Sequence, residues 1–196
     1  MSDATPTEQF RSPARPTEAA LHIGGHAIGL AAYILERGGE FPPTLFFVKR
    51  GKREVVPLDV DDRLRFHDVW QGWVAANPEQ AELSVYVADS SLMMAKGRID
   101  AVLAHVFDHV EGVAWRFVMD YRPRKFLRSF SVEPPQLLSE DGTPQPLTAP
   151  ERAQFAQGIR SVIAATKFWS KRISSILGNE GSPEEHRGSE ELSRET

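Results

Sequence analysis

Apolar residues recur at helical spacing between Ala20 and Leu35, where Leu21, Ile28 and Leu35 align with Ala20, Ala27, Ala31 and Ile34. Pro16-Thr17-Glu18 opens that helix, with Thr17 able to cap it, and Gly38-Gly39 ends it just after the cation Arg37. Gly24, Gly25 and Gly29 lie inside. Each weakens a helix by about 1 kcal/mol relative to Ala, a cost that implies another backbone packed close against this face.

After Pro42-Pro43 the pattern changes to β: Leu45–Val48 and Glu54–Leu58 flank the polar turn Lys49-Arg50-Gly51-Lys52-Arg53, which predicts a hairpin. Pro57 places the second arm at a sheet edge. Asp61 or Asp62 then caps a helix with Leu64, Val69, Trp70, Trp73 and Val74 on one side, closed by Asn77-Pro78. Glu82–Ala88 reads as a strand. Ile99–Val110 and Val113–Tyr121 read as a second hairpin around Glu111-Gly112, with Trp115, Phe117, Met119 and Tyr121 on one face of the return arm. Phe126–Val132 adds an arm after Arg122-Pro123-Arg124, and a proline-rich loop follows (Pro134, Pro135, Pro144, Pro146). A long helix from Pro150 to Leu177 closes the pattern, its stripe running through Phe155, Ile159, Val162, Ile163, Phe168, Trp169, Ile173 and Ile176. This order predicts a single α+β domain over residues 17–177. Its mostly antiparallel sheet has about five to six strands, its helices pack on one face, and the long C-terminal helix completes it. Residues 1–16 are expected to be a flexible N-terminus and residues 178–196 a disordered acidic tail.

Gly39-Glu40-Phe41-Pro42-Pro43-Thr44-Leu45-Phe46-Phe47 after a helix, a strand ending at Pro57-Leu58, and a later Val85-Tyr86-Val87-Ala88-Asp89-Ser90-Ser91 resemble a loose group of uncharacterised bacterial α+β proteins. In these a GE-x-PP turn precedes an apolar strand. The likeness spans about residues 17–122, departs at Ser90-Ser91-Leu92 where the group has Glu-Ala-Trp, and implies no activity.

Composition narrows the chemistry. The 196 residues suit one domain, and the absence of cysteine excludes disulfides, thiolate metal sites and cysteine nucleophiles. The net charge of −4 lies wholly in residues 178–196, whose six acids (Glu180, Glu184, Glu185, Glu190, Glu191, Glu195) face two bases (Arg187, Arg194). That leaves 21 bases and 21 acids in residues 1–177, with no global field to draw the chain onto nucleic acid. No run approaches the ~18 apolar residues of a membrane span and no signal peptide is evident, so the expected location is cytoplasmic.

The sequence contains no G-x-G-x-x-G, G-x-x-x-x-G-K-[ST], H-E-x-x-H or G-x-S-x-G, and no acid stands two places before a lysine. His22 and His26 lie four apart on a helix and His105 and His109 four apart on a strand. Only the first spacing lets two imidazoles share a metal, because four strand residues span about 13 Å. Asp59, Asp61 and Asp62 suit helix capping, Asp108 and Glu111 form a second acidic group, and Asp89-Ser90-Ser91 stands at a predicted strand end. Two basic loops stand out: Lys49, Arg50, Lys52 and Arg53, and Arg122, Arg124, Lys125 and Arg128. Together on one side they would form a positive patch. The chain therefore reads as a non-catalytic cytosolic interaction module without cofactor, working through a protein partner or a homo-oligomer, by its long helix or an open sheet edge. The alternatives are a nucleic-acid or phosphate binder using the two basic loops, and a metal-assisted hydrolase using His22 and His26.

Overall fold

The computed structural model describes residues 15–58, 66–94, 97–123 and 129–177. Helix α1 (Glu18–Glu36) begins where expected: Thr17 Oγ1 accepts from Ala20 N at 3.2 Å. Strands β1 (Thr44–Lys49) and β2 (Lys52–Pro57) form the first hairpin, followed by helix α2 (Phe66–Ala76). Asn77 stops α2 by turning to φ 38° while its side chain brackets Ala81 through Nδ2→O (3.1 Å) and N→Oδ1 (2.8 Å) contacts. Strands β3 (Leu83–Met94), β4 (Gly97–Asp108) and β5 (Val113–Arg122) are the long central members. Short strands β6 (Ser131–Val132), β7 (Gln136–Leu138) and β8 (Pro144–Pro146) precede helix α3 (Ala149–Arg160), then α4 (Thr166–Trp169) and α5 (Ile173–Leu177). No helix among the described residues is long and apolar enough to cross a membrane.

The sheet is antiparallel with spatial order β2-β1-β3-β4-β5-β7-β8, and β6 also pairs with β5. Eight strands among the described residues exceed the five to six expected. The excess arises in the proline-rich stretch, where β7 and β8 pair Leu137 with Gln145; Pro144 and Pro146 are tolerated because β8 has one neighbour only among the described residues. β3 also runs six residues past Ala88, so Asp89 lies within a strand, opposite Val102.

The period-2 alternation divides the apolar residues between two faces. On the inner face Val85, Val87, Val102, Ala104, Val106, Trp115, Phe117 and Met119 meet α1, α3 and the short C-terminal helices in the main core. On the outer face Leu45, Tyr86, Ala88 and Phe107 meet Trp70 and Val74 of α2. Helices thus cover both faces, which corrects the one-face expectation. The cause is visible in β1: Phe46 points inward and is fully buried, whereas Leu45 and Phe47 point outward, Phe47 stacking on Trp73 at 6.0 Å.

Two of the three glycines of α1, Gly25 and Gly29, do meet a backbone, whereas Gly24 faces the Phe117 ring. A Cβ on Gly25 would collide with the carbonyl of Phe155, and one on Gly158 with the carbonyl of His22, so α1 and α3 cross with their main chains in contact. The long C-terminal helix is not formed. α3 ends at Ser161, Val162 leaves helical geometry (ψ 87°), and a 3₁₀ turn at Ile163–Ala165 leads into α4 and α5. On a straight helix at ~100° per residue, Phe168 would stand about 140° away from Phe155. Breaking the helix lets Phe168 enter the core beside Trp169 and leaves Ile163 87% exposed.

Candidate functional site

Arg50 (φ 52°) and Gly51 (φ 71°) are both left-handed, the requirement of a two-residue type I′ turn, so Lys49 and Lys52 close the β1–β2 hairpin as a hydrogen-bonded pair. Alternation then directs the backbone groups of Glu54 and Val56 toward β1, and Leu58 N→Pro43 O (2.9 Å) continues the series. The N–H and C=O groups of Arg53 and Val55 consequently point away from the sheet. Among the described residues no strand pairs with that side of β2. Residues 52–55 are exposed, Val55 at 48%. The opposite edge, β8, is three residues long with prolines at two of them. Among the described residues, one sheet edge is therefore blunted and the other is open.

The same hairpin carries the first basic loop. Lys49 Nζ lies 3.9 Å from Glu79 Oε2, and the Arg50 N–H donates to Glu82 Oε1 at 3.0 Å. Arg50, Lys52 and Arg53 are exposed. Arg122, from the second loop, stands at the other end of the sheet. Val48 pairs with Leu83, Leu83 with Asp108, and Asp108 with Val113, so β5 starts beside the basic turn and carries Arg122 about 30 Å away. Arg122 also faces Glu133 at 3.8 Å. Arg124, Lys125 and Arg128 lie outside the described residues, as do Asp59, Asp61 and Asp62, residues 1–14 and residues 178–196.

Behind β2 lies a junction that the sequence did not announce. Ser161 Oγ lies 2.7 Å from His26 Nδ1, 3.0 Å from Arg53 Nη1 and 2.6 Å from Gly158 O. A hydroxyl has one proton, the carbonyl can only accept, and the guanidinium can only donate. All three contacts are satisfied when Ser161 donates to Gly158 O and His26 carries its proton on Nδ1. His26 is then a donor to Ser161 and not its base, and the junction ties β2 to the end of α3. Burial chiefly, then Arg53 and His22, pushes the His26 pKa down to about 4, and the same two causes, burial first and then Arg53, lower His22.

These positions bear on the metal reading. The four histidines do not converge: His22 and His26 are on the inner layer, whereas His105 and His109 follow the outer phase of β4. His105 packs edge-on against Tyr86, and His109 Nε2 meets Ser84 Oγ at 2.8 Å. No group of three or more His, Asp or Glu among the described residues could hold a metal ion, and the Arg53 guanidinium beside His22 and His26 would repel one. Asp108 Oδ1 accepts from the N–H groups of Val110 (2.9 Å) and Glu111 (3.1 Å), a turn-capping role.

A second polar group lies at the far end of the inner face. Tyr121 Oη donates to Asp89 Oδ1 at 2.8 Å, and Arg98 Nη2 to Ser91 Oγ at 3.0 Å. Burial and the Asp89 carboxylate raise the Tyr121 phenol. A groove of about 680 Å³ between this group and the loop after α1 is lined by Leu35, Phe41, Asp89 and Arg98, among others. Asp120, on the outer face, has its carboxyl raised by burial and by Glu133. The sequence suggested Asp89-Ser90-Ser91; Tyr121, Arg98 and Ser161 are brought in by strand register and helix crossing, for which no local spacing is a signal. No family model, no curated protein and no solved structure matches the chain.

The junction makes stability depend on pH. Unfolded His26 would titrate near its ordinary 6.5 and folded His26 near 4, so between these values the unfolded chain binds a proton that the folded one does not. The contribution is present above about pH 6.5 and is lost as pH falls through about 4. The pKa difference is worth at most about 3 kcal/mol, and partial exposure of the ring reduces it to about 1–2 kcal/mol. Urea midpoints at neutral pH and near pH 4.5 should differ by less in His26→Gln than in the parent. An equal difference in both chains would remove His26 from the account.

Proposed function

We propose that this chain is a non-catalytic, cytosolic interaction module that takes an extended acidic segment of a partner protein onto the β2 edge. The observation that carries the reading is the edge that no described residue pairs with: two outward-facing backbone positions, Arg53 and Val55, on a six-residue strand whose turn is basic. Adding a strand satisfies those backbone groups, and the side chains around them select the partner. Arg50, Lys52 and Arg53 outweigh Glu54 along the exposed rim and favour an acidic strand.

The test uses fluorescein-labelled peptides that alternate Val with Glu or Val with Lys. The acidic peptide should bind with a Kd on the order of 10 µM at low salt and more weakly as salt rises, and the basic peptide should not bind. Val55→Pro removes one outward N–H at an edge position that tolerates proline, and should weaken binding at least about tenfold. Lys52→Glu combined with Arg50→Asn, which keeps a residue favoured in type I′ turns, should do the same while leaving thermal stability within about 0.5 kcal/mol. Equal binding of both peptides, or preferential binding of a single-stranded RNA that survives Val55→Pro, would overturn the reading.

A further inference from the structure

The charge of this chain is segregated: residues 1–177 are neutral and residues 178–196 carry the entire −4. Leu177, the last described residue, is anchored where its carbonyl accepts from Arg152 Nε at 2.7 Å, in the first turn of α3. The basic hairpin meets the other end of α3, where Arg53 holds Ser161. From Arg152 to Ser161 the helix rises about 14 Å. An extended chain covers that distance, with allowance for leaving α5, in about seven residues. Glu184 and Glu185 are the seventh and eighth residues after Leu177, with Glu190, Glu191 and the aliphatic Leu192 following.

Resting on the reading of the β2 edge given above, we infer that the acidic segment 178–196 of this chain occupies that edge and its basic turn when no partner is bound, so that a partner must displace it. Glu79 and Glu82 already engage Lys49 and the Arg50 N–H, and Glu54 lies on β2 itself, so the attraction rests on the Arg50, Lys52 and Arg53 side chains and is weak enough to be reversible. Tethering compensates for that weakness. A segment joined to the domain by a few residues acts at an effective concentration on the order of millimolar, above the affinity expected for a free peptide. A partner therefore competes only if it is more acidic or more apolar than the segment, and the tether becomes a filter on what the edge accepts.

The experiment compares the full chain with the full-length variant Glu184→Gln, Glu185→Gln, Glu190→Gln, Glu191→Gln, which alters no described residue. Amide hydrogen exchange at Arg53 and Val55 should be at least about tenfold slower in the parent than in the variant at low salt, and the two should converge at high salt. The Val–Glu probe peptide should bind the variant at least several-fold more tightly than the parent. Equal exchange at Arg53 and Val55 in the two chains at low salt overturns the inference. Binding of the probe to the variant is the separate check on the edge itself: a variant that binds no probe sinks the reading of β2, whereas equal exchange with intact probe binding sinks only the occupancy by residues 178–196.

Discussion

Gly158→Ala should destabilise the fold by about 2–3 kcal/mol even though alanine is the better helix former by about 1 kcal/mol. The new methyl would have to occupy the position of the His22 carbonyl, with His22 C and the His26 nitrogen also within 3.0 Å, and neither main chain can yield without separating α1 from α3. At roughly 2–4 °C per kcal/mol for a domain of this size, the melting temperature should fall by about 4–12 °C. Gly72 in α2 is the control, since an added Cβ there meets nothing within 4 Å. Gly72→Ala should raise stability by up to about 1 kcal/mol. Opposite signs for one chemical change, read by calorimetry, identify the crossing; a Gly158→Ala chain melting at or above the parent would contradict it.

Trp169→Ala is the second large effect. Trp169 is 1% exposed, packs edge-on against Phe168 at 4.7 Å, and donates from Nε1 to Gly29 O at 3.1 Å. It fixes α4 against the middle of α1. Truncation should cost about 3–5 kcal/mol, and Trp169→Phe, which retains much of the volume but leaves the Gly29 carbonyl without its donor, about 1–3 kcal/mol. Arg172 reinforces the same contact by stacking over Phe168 at 4.1 Å and donating to the Phe168 and Phe130 carbonyls. If the alanine variant lost less than the phenylalanine variant, the packing role assigned to Trp169 would be wrong.

These two residues mark where the fold was legible in the sequence and where it was not. The α1 boundaries, the two hairpins and the close backbone approach at Gly25 and Gly29 could be read because cap, turn and glycine chemistry act locally; Gly24 instead makes room for the Phe117 ring. The C-terminal helix could not, because its interruption depends on what Phe168 and Trp169 find across the core, and a nearly continuous apolar stripe hides one residue out of phase. β7 and β8 were missed because proline-rich sequence reads as loop unless an edge is known to be there. The placement of α2 on the outer face follows from Leu45 and Phe47, but the adjacent Phe46 makes β1 apolar on both sides and conceals the direction.

The candidate site was legible in part. Pro57 pointed to an edge, and β2 is one among the described strands. The two basic loops were each visible, but their relation was not: only the strand register sends Arg122 to the opposite end from Arg50. Ser161 completes the His26–Arg53 junction from 135 residues away, and no spacing rule reaches that far.

The claim on which the functional account depends is tested most directly by isotope-filtered NOE contacts between the unlabelled Val–Glu peptide and the labelled chain. The account requires contacts to the backbone protons of Arg53 and Val55, and their loss in Val55→Pro. Contacts confined to the groove at Asp89 and Arg98, or to the surface around Arg122, with none on β2, would contradict it.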